Sequence, residues 1–157
     1  MVFLGGSATG SDDKVESVIG KENVVSGRFL CVDSVTGKHK KVSAATDKII
    51  FFVVAPGAGL GGNQASVIEG KTSTDKPYNV YEVKAGTLIP VVRRGIGKYV
   101  ELGEDVAIND PIYVNPTTGL VCKSATTDGV NNIRLGNSVF TEAGLEGDIV
   151  AISFDLL

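Results

Sequence analysis

Tryptophan is absent from this 157-residue chain, histidine and methionine occur once each, and cysteine occurs twice. With only six Phe and four Tyr to add, the core has to be built mostly from Val, Ile, Leu and Ala. The one histidine, His39, lies in the basic run Lys38-His39-Lys40-Lys41. No orienting carboxylate motif accompanies it, so a nucleophile-histidine-acid relay lacks its parts and an enzyme is not expected. Neither Cys31 nor Cys122 has a metal-ligand or CxxC spacing, which argues against zinc, and nothing implies any other cofactor. Two cysteines in a chain without a secretory signal are expected to be free, buried thiols. An excess of positive charge is also missing. Fifteen basic and 18 acidic side chains leave a net charge of -3, so the electrostatic footprint of a nucleic-acid partner is not there. Long apolar runs are missing too. The opening Met1-Val2-Phe3-Leu4 stops at Gly5-Gly6, too short for a signal, and no later run approaches the ~20 residues that span a bilayer. Synthesis in the cytoplasm and no membrane partner follow as expectations.

What the chain does have is glycine, 20 residues of it, and a 43% share of hydrophobic residues. Abundant turn formers among β-branched residues favour short strands over helices. Only 21% of residues are charged and mean hydropathy is +0.17, a surface suited to burial against other subunits, so an oligomer is favoured over a monomer. Strands are expected at Phe29 to Val32, Ile49 to Val54, Asn79 to Val83, Leu88 to Val92, Lys98 to Leu102, Pro111 to Val114, Ser138 to Phe140 and Asp148 to Phe154. The one hint of helix is a turn near Asp13 to Ile19. Residues 1–21 are small, polar and charged, with few apolar anchors, and read as an N-terminal arm ahead of a β domain over 22–157. The fold class is all-β, a barrel or a jelly-roll-like sandwich of short antiparallel strands.

One pattern is written twice. Asp33-Ser34-Val35-Thr36-Gly37 and Asn115-Pro116-Thr117-Thr118-Gly119 share a turn logic in which an Asx residue opens and a glycine supplies positive φ. The match extends outward, from Phe29-Leu30-Cys31-Val32 and Pro111-Ile112-Tyr113-Val114 before the turns to Ser43 to Asp47 and Ser124 to Asp128 after them. The economical account is a duplicated β unit with halves near 20–92 and 102–154 and an inserted loop, 56–77, in the first; converging hairpin chemistry would mimic it.

Other motifs point to no chemistry. Pro56-Gly57-Ala58-Gly59-Leu60-Gly61-Gly62-Asn63 superficially looks like a phosphate-cradling loop, but it lacks the Lys-Ser/Thr ending and a following helix. The acidic groups Asp12-Asp13 and Glu101, Glu104 and Asp105 lack the alternating oxygen spacing of a calcium loop. Arg93-Arg94, ahead of Gly95-Ile96-Gly97, is either an exposed bend or a pair of cations for an acidic partner.

The C-terminal half carries a family resemblance. Val91-Val92-Arg93-Arg94-Gly95, Asn109 to Val121 through Asn115-Pro116-Thr117-Thr118-Gly119, Ile133-Arg134-Leu135-Gly136 and Gly147 to Ile152 together resemble the small capsid cement or decoration proteins of tailed bacteriophages. The resemblance implies a β body on the outside of the virion's capsid, commonly a homotrimer, that binds the major capsid protein and staples neighbouring subunits. The arm, the inserted loop and open sheet edges are the expected contact elements, with Phe3, Leu4, Leu60, Asn63, Arg93 and Arg94 as candidate partner contacts. The alternative is a receptor- or carbohydrate-binding β module of a phage fibre or surface protein; the scarcity of aromatics for sugar stacking stands against it.

Overall fold

The computed structural model describes residues 3–6, 14–55, 65–72 and 74–157, and every regular element among them is a strand. Strands β1 (Glu16–Ile19), β2 (Val24–Val25), β3 (Phe29–Val32), β4 (His39–Lys41) and β5 (Phe51–Val53) come first. A hairpin of β6 (Ala65–Lys71) and β7 (Pro77–Val83) follows, and then β8 (Leu88–Val92). The second half carries β9 (Arg94–Glu101), β10 (Pro111–Val114), β11 (Val121–Cys122), β12 (Thr126–Thr127), β13 (Val130–Asn131), β14 (Ile133–Val139) and β15 (Ile149–Asp155). The largest sheet has the order β1-β8-β5-β3-β4; the others are β11-β10-β14, β2-β7-β6, and the pairs β15-β9 and β12-β13. The all-β expectation holds, as stacked antiparallel sheets rather than a closed barrel.

Two expectations for the N-terminal stretch need correction. Of the helical turn expected near Asp13 to Ile19, Asp13 lies outside the described residues and Glu16–Ile19 is instead β1, paired residue for residue with β8 from Glu16 opposite Val91 to Ile19 opposite Leu88. A ready-made strand edge satisfies these backbone groups, whereas one isolated helical turn is a costly nucleus. The stretch 1–21 is also not a detached arm where it is described, because Leu4 is fully buried and β1 is part of the main sheet. The inserted stretch 56–77 is likewise more than a loop, since it contains β6.

The doubled hairpin makes the same hydrogen bonds twice. The Asp33 N–H donates to the Lys38 carbonyl at 2.8 Å and the Gly37 N–H to the Asp33 carbonyl at 2.8 Å; the Asn115 and Gly119 N–H groups donate to the Leu120 and Asn115 carbonyls at 2.9 and 2.7 Å. The side chains of Asp33 and Asn115 accept the N–H groups inside their turns, from Thr36 and from Thr117 and Thr118. Gly37 and Gly119 have φ of 72° and 75°, the left-handed region in which a β-carbon is strained.

The correspondence continues at the interval that separates Gly37 from Gly119. Lys21 and Gly103 donate to the carbonyls of His39 and Val121. The carboxylates of Glu22 and Glu104 accept the N–H groups of Lys41 and Lys123. Past the insertion the interval shortens and the bonds still recur. Gly86 and Gly147 donate to the carbonyls of Gly20 and Leu102, and the side chains of Asn23 and Asp105 accept from Ala85 and Glu146. We propose that residues 20–92 and 102–154 are two copies of one β unit, with β6 and the start of β7 inserted in the first.

Core composition reveals how the two stretches pack. Leu30, Phe51, Val53, Ile89 and Val91 form one buried cluster on the inner face of the main sheet, closed by Val24 and Val83. On the outer face of that sheet Phe29, Cys31, Phe52, Val54 and Val92 join a larger cluster. At the recurring intervals, the partners of Leu30, Ile89 and Val91 are Ile112, Val150 and Ile152, and all three lie in that larger cluster. The inner face of the second stretch therefore packs on the outer face of the first, front to back. Phe154 seals the junction, its ring centroid 5.5 Å from Phe29 and 5.1 Å from Phe52 in edge-on geometry, a favourable arrangement of ring quadrupoles.

Candidate interaction surfaces

The N-terminal contact candidates sit where the insertion meets the second stretch. Leu4 packs with Tyr78 and Val80 of β7. Its N–H donates to the Asn79 carbonyl at 3.1 Å, the Gly5 N–H donates to the Tyr99 carbonyl at 2.9 Å, and Tyr99 returns a bond to Gly6. A β-carbon on Gly5 would lie 2.6 Å from the Val53 carbonyl oxygen, so glycine alone lets this segment in. Leu4 has no exposed surface and cannot touch a partner, contrary to expectation. Its apolar side chain gains more from the groove over β7 than from waiting in water for another chain. Phe3 is half-buried and stacks on Tyr81 at 5.1 Å. Leu60 and Asn63 lie outside the described residues.

Arg93 and Arg94 are exposed, and each already has an acidic partner in its own chain. Arg93 Nε donates to Glu16 Oε2 at 2.9 Å while its guanidinium lies 4.7 Å over the Phe51 ring. Arg94 pairs with Asp155 at 2.9 Å. The structure does not bring these candidates into one patch with Phe3, which stacks on β7.

The sequence reading missed the exposed apolar pair of β6. Val67 and Ile68 are 52% and 38% exposed, and as neighbours in a strand they face opposite sides of the sheet. Strand β6 pairs with β7 on one edge, and among the described residues no strand lies beyond it. The signal was available as two β-branched residues between Ser66 and Glu69, but it was read as part of a loop. The tip of the first hairpin also presents Val35, 89% exposed.

Near Tyr78 lies a buried polar group. Glu101 is 5% exposed, and among the described residues neither its Oε1 nor Arg28 Nη1 has a hydrogen-bond partner. Burial pushes the Glu101 carboxyl above its ordinary value, against the pull of Arg28, and burial likewise raises Tyr78, with Glu101 adding to it. A carboxyl raised on folding stabilises fully below its unfolded value of 4.5, and that contribution is lost as pH climbs through the folded value. Glu101→Gln is therefore expected to stabilise the protein at pH 7 and to do nothing at about pH 4. Thermal unfolding at the two pH values checks it; an equal shift at both would contradict the burial argument.

The remaining polar candidates are packed rather than poised. The His39 ring meets Phe51 edge-on at 5.2 Å; burial pushes its pKa down, with Arg93 contributing, against a raising bond to Ile19. Cys31 and Cys122 are free and buried. Burial raises both thiols, Cys122 to about 11, which leaves little thiolate at neutral pH. Among the described residues no cluster of three or more His, Cys, Asp or Glu side chains is placed to hold a metal.

A fold of stacked hairpins with its polar groups tied into turns is a scaffold with outward-facing strands, and comparison with known proteins gives it a class. The family model for the XM1 gp53 minor capsid protein matches residues 5–154. The chain is thus a structural protein of a phage virion, associated with the capsid. It belongs to the XM1 gp53 minor capsid protein family. Among solved structures, the head fiber gp8.5 N base of bacteriophage phi29 is similar, with a TM-score of 0.47 and 16% identity over 91% of this chain and 94% of that one. Comparison with curated proteins gives no match.

Proposed function

We propose that this minor capsid protein sits on the outside of the shell as a homotrimer and stabilises it by bridging subunits of the major capsid protein. The supporting observation is β6, an outer strand with Val67 and Ile68 exposed on its two faces, inserted in one half and without a counterpart in the other. An open edge of this kind pairs readily with another chain, and proteins that do not use such an edge usually blunt it. A protein that binds the assembled shell and not its free subunits stabilises the shell by mass action, and several linked contacts add avidity. The purified protein is expected to rebind stripped particles and raise their disruption temperature. Val67→Lys with Ile68→Lys should weaken that binding at least ~10-fold through loss of the apolar anchors. Absence of rebinding in a saturating titration would refute the proposal.

A further inference from the structure

We propose that β6 pairs through its backbone with an extended strand of the major capsid protein, which enters as the next strand of the β2-β7-β6 sheet. This rests on the capsid role proposed above and names the part of the partner that meets the protein and the chemistry that recognises it.

The register of the hairpin tells which backbone groups face the newcomer. The Thr72 N–H donates to the Lys76 carbonyl at 3.0 Å where β6 turns into β7. Bonded and non-bonded pairs alternate along an antiparallel ladder, so Gly70 with Tyr78 and Ile68 with Val80 are the bonded pairs. Val67, Glu69 and Lys71 therefore direct their N–H and carbonyl groups away from β7. The far side of β7 fixes the same phase. Asn79 and Tyr81, opposite Glu69 and Val67, turn their carbonyls to the other edge, where they accept from Leu4 and Ser26. Among the described residues nothing bonds the outward groups of Val67, Glu69 and Lys71. Three donor-acceptor pairs, two residues apart along one line, are matched by another strand. The edge is also long and regular. Its ladder runs unshifted from Ala65 opposite Val83 to Lys71 opposite Pro77, and neither a bulge nor a proline interrupts β6 to blunt it. Its one lysine stands at the turn end, away from Val67 and Ile68.

The side chains say what that strand carries. Residues opposite one another share a face, so Leu4, Val80 and Ile68 make one apolar row across the sheet, and Phe3, Tyr81 and Val67 make another on the reverse. Leu4 and Val80 are 0% and 4% exposed, whereas Ile68 and Val67, where the rows stop, are 38% and 52% exposed. Apolar side chains opposite Val67 and Ile68 continue both rows. Beyond them Glu69 and Lys71 lie on the Val67 face, both exposed and neither in an ion pair among the described residues. A cation opposite Glu69 and an anion opposite Lys71 complement them. In antiparallel pairing, the sense of both strand pairs in this sheet, the partner therefore reads acidic-x-basic-apolar-apolar.

Glu69→Pro removes one outward N–H and leaves the ladder to β7 intact, the one setting in which a strand tolerates proline; Glu69→Ala is its side-chain control. In rebinding titrations on stripped particles, Glu69→Pro is expected to bind at least ~10-fold more weakly than Glu69→Ala, because a partner carbonyl loses its donor. The thermal midpoints of the two free variants should agree. Lys71→Pro and Lys71→Ala replace this pair if Glu69→Pro loses cooperative unfolding. Exchanging the charges, Glu69→Lys with Lys71→Glu, is expected to weaken binding ~10-fold by setting like charges opposite one another; wild-type binding would overturn the charge order assigned to the partner. Equal binding of the proline and alanine variants would overturn strand pairing and leave the capsid role standing on the apolar side chains alone. A wild type that does not rebind would overturn both.

Discussion

Deletion of residues 1–21 is expected to cost the fold at least about 5 kcal/mol and to lower its thermal midpoint by 10 °C or more, on the order expected for a domain of this size. Composition alone makes this stretch a detachable tail, yet two of its parts are structural. Leu4 fills a closed site against Tyr78 and Val80, and vacating a fully buried leucine site typically costs 2–5 kcal/mol, about the Leu→Ala range. Phe3 to Gly6 also bridges three places in the chain, through Asn79, Tyr99 and Ala55, so its loss strands their backbone groups. Removing β1 then exposes the β8 edge and the inner cluster on which Val18 packs. Urea and thermal unfolding of the truncated chain measure the loss, with Leu4→Ala as the milder control. A truncated chain that melts within 2 °C of the intact one would show that the stretch is a tail after all.

The same segment shows what sequence can and cannot convey. Strand positions were legible where local chemistry decides them: Phe29–Val32, Leu88–Val92 and Pro111–Val114 are strands over the residues expected, because apolar β-branched runs ended by turn residues have few other options. The two hairpins were legible for the same reason, down to the glycines that reverse the chain. Leu4 was not, since its burial depends on a groove made by Tyr78 and Val80, more than seventy positions along the chain, and nothing near Leu4 announces it. β1 was missed because Glu16-Ser17-Val18-Ile19 has weak alternation of its own and is held by the edge of β8. Of the surface candidates, Arg93 and Arg94 were found as charges, but their partners Glu16 and Asp155 lie far away in sequence. The front-to-back packing was out of reach of any local pattern. In the proposed two-copy arrangement, one pair of corresponding positions marks the difference, Arg93 just after β8 and Phe154 in β15.

That pair defines the second large effect. Phe154→Ala is expected to destabilise the protein by about 3–5 kcal/mol, whereas Arg93→Ala costs about 1 kcal/mol at the corresponding place. Phe154 is 4% exposed and lies edge-on to both Phe29 and Phe52, which are themselves 5.0 Å apart. Truncating it empties the centre of a three-ring cluster that belongs to both units, and no neighbour is free to collapse into the space because strand pairing fixes β3, β5 and β15. Arg93 contributes an exposed ion pair and a cation-π contact, both worth little in water. Denaturant titration of the two variants side by side gives the comparison. A midpoint loss of roughly 10 °C for Phe154→Ala against about 3 °C for Arg93→Ala is the expected result. Equal losses would mean that the two places carry the same packing load.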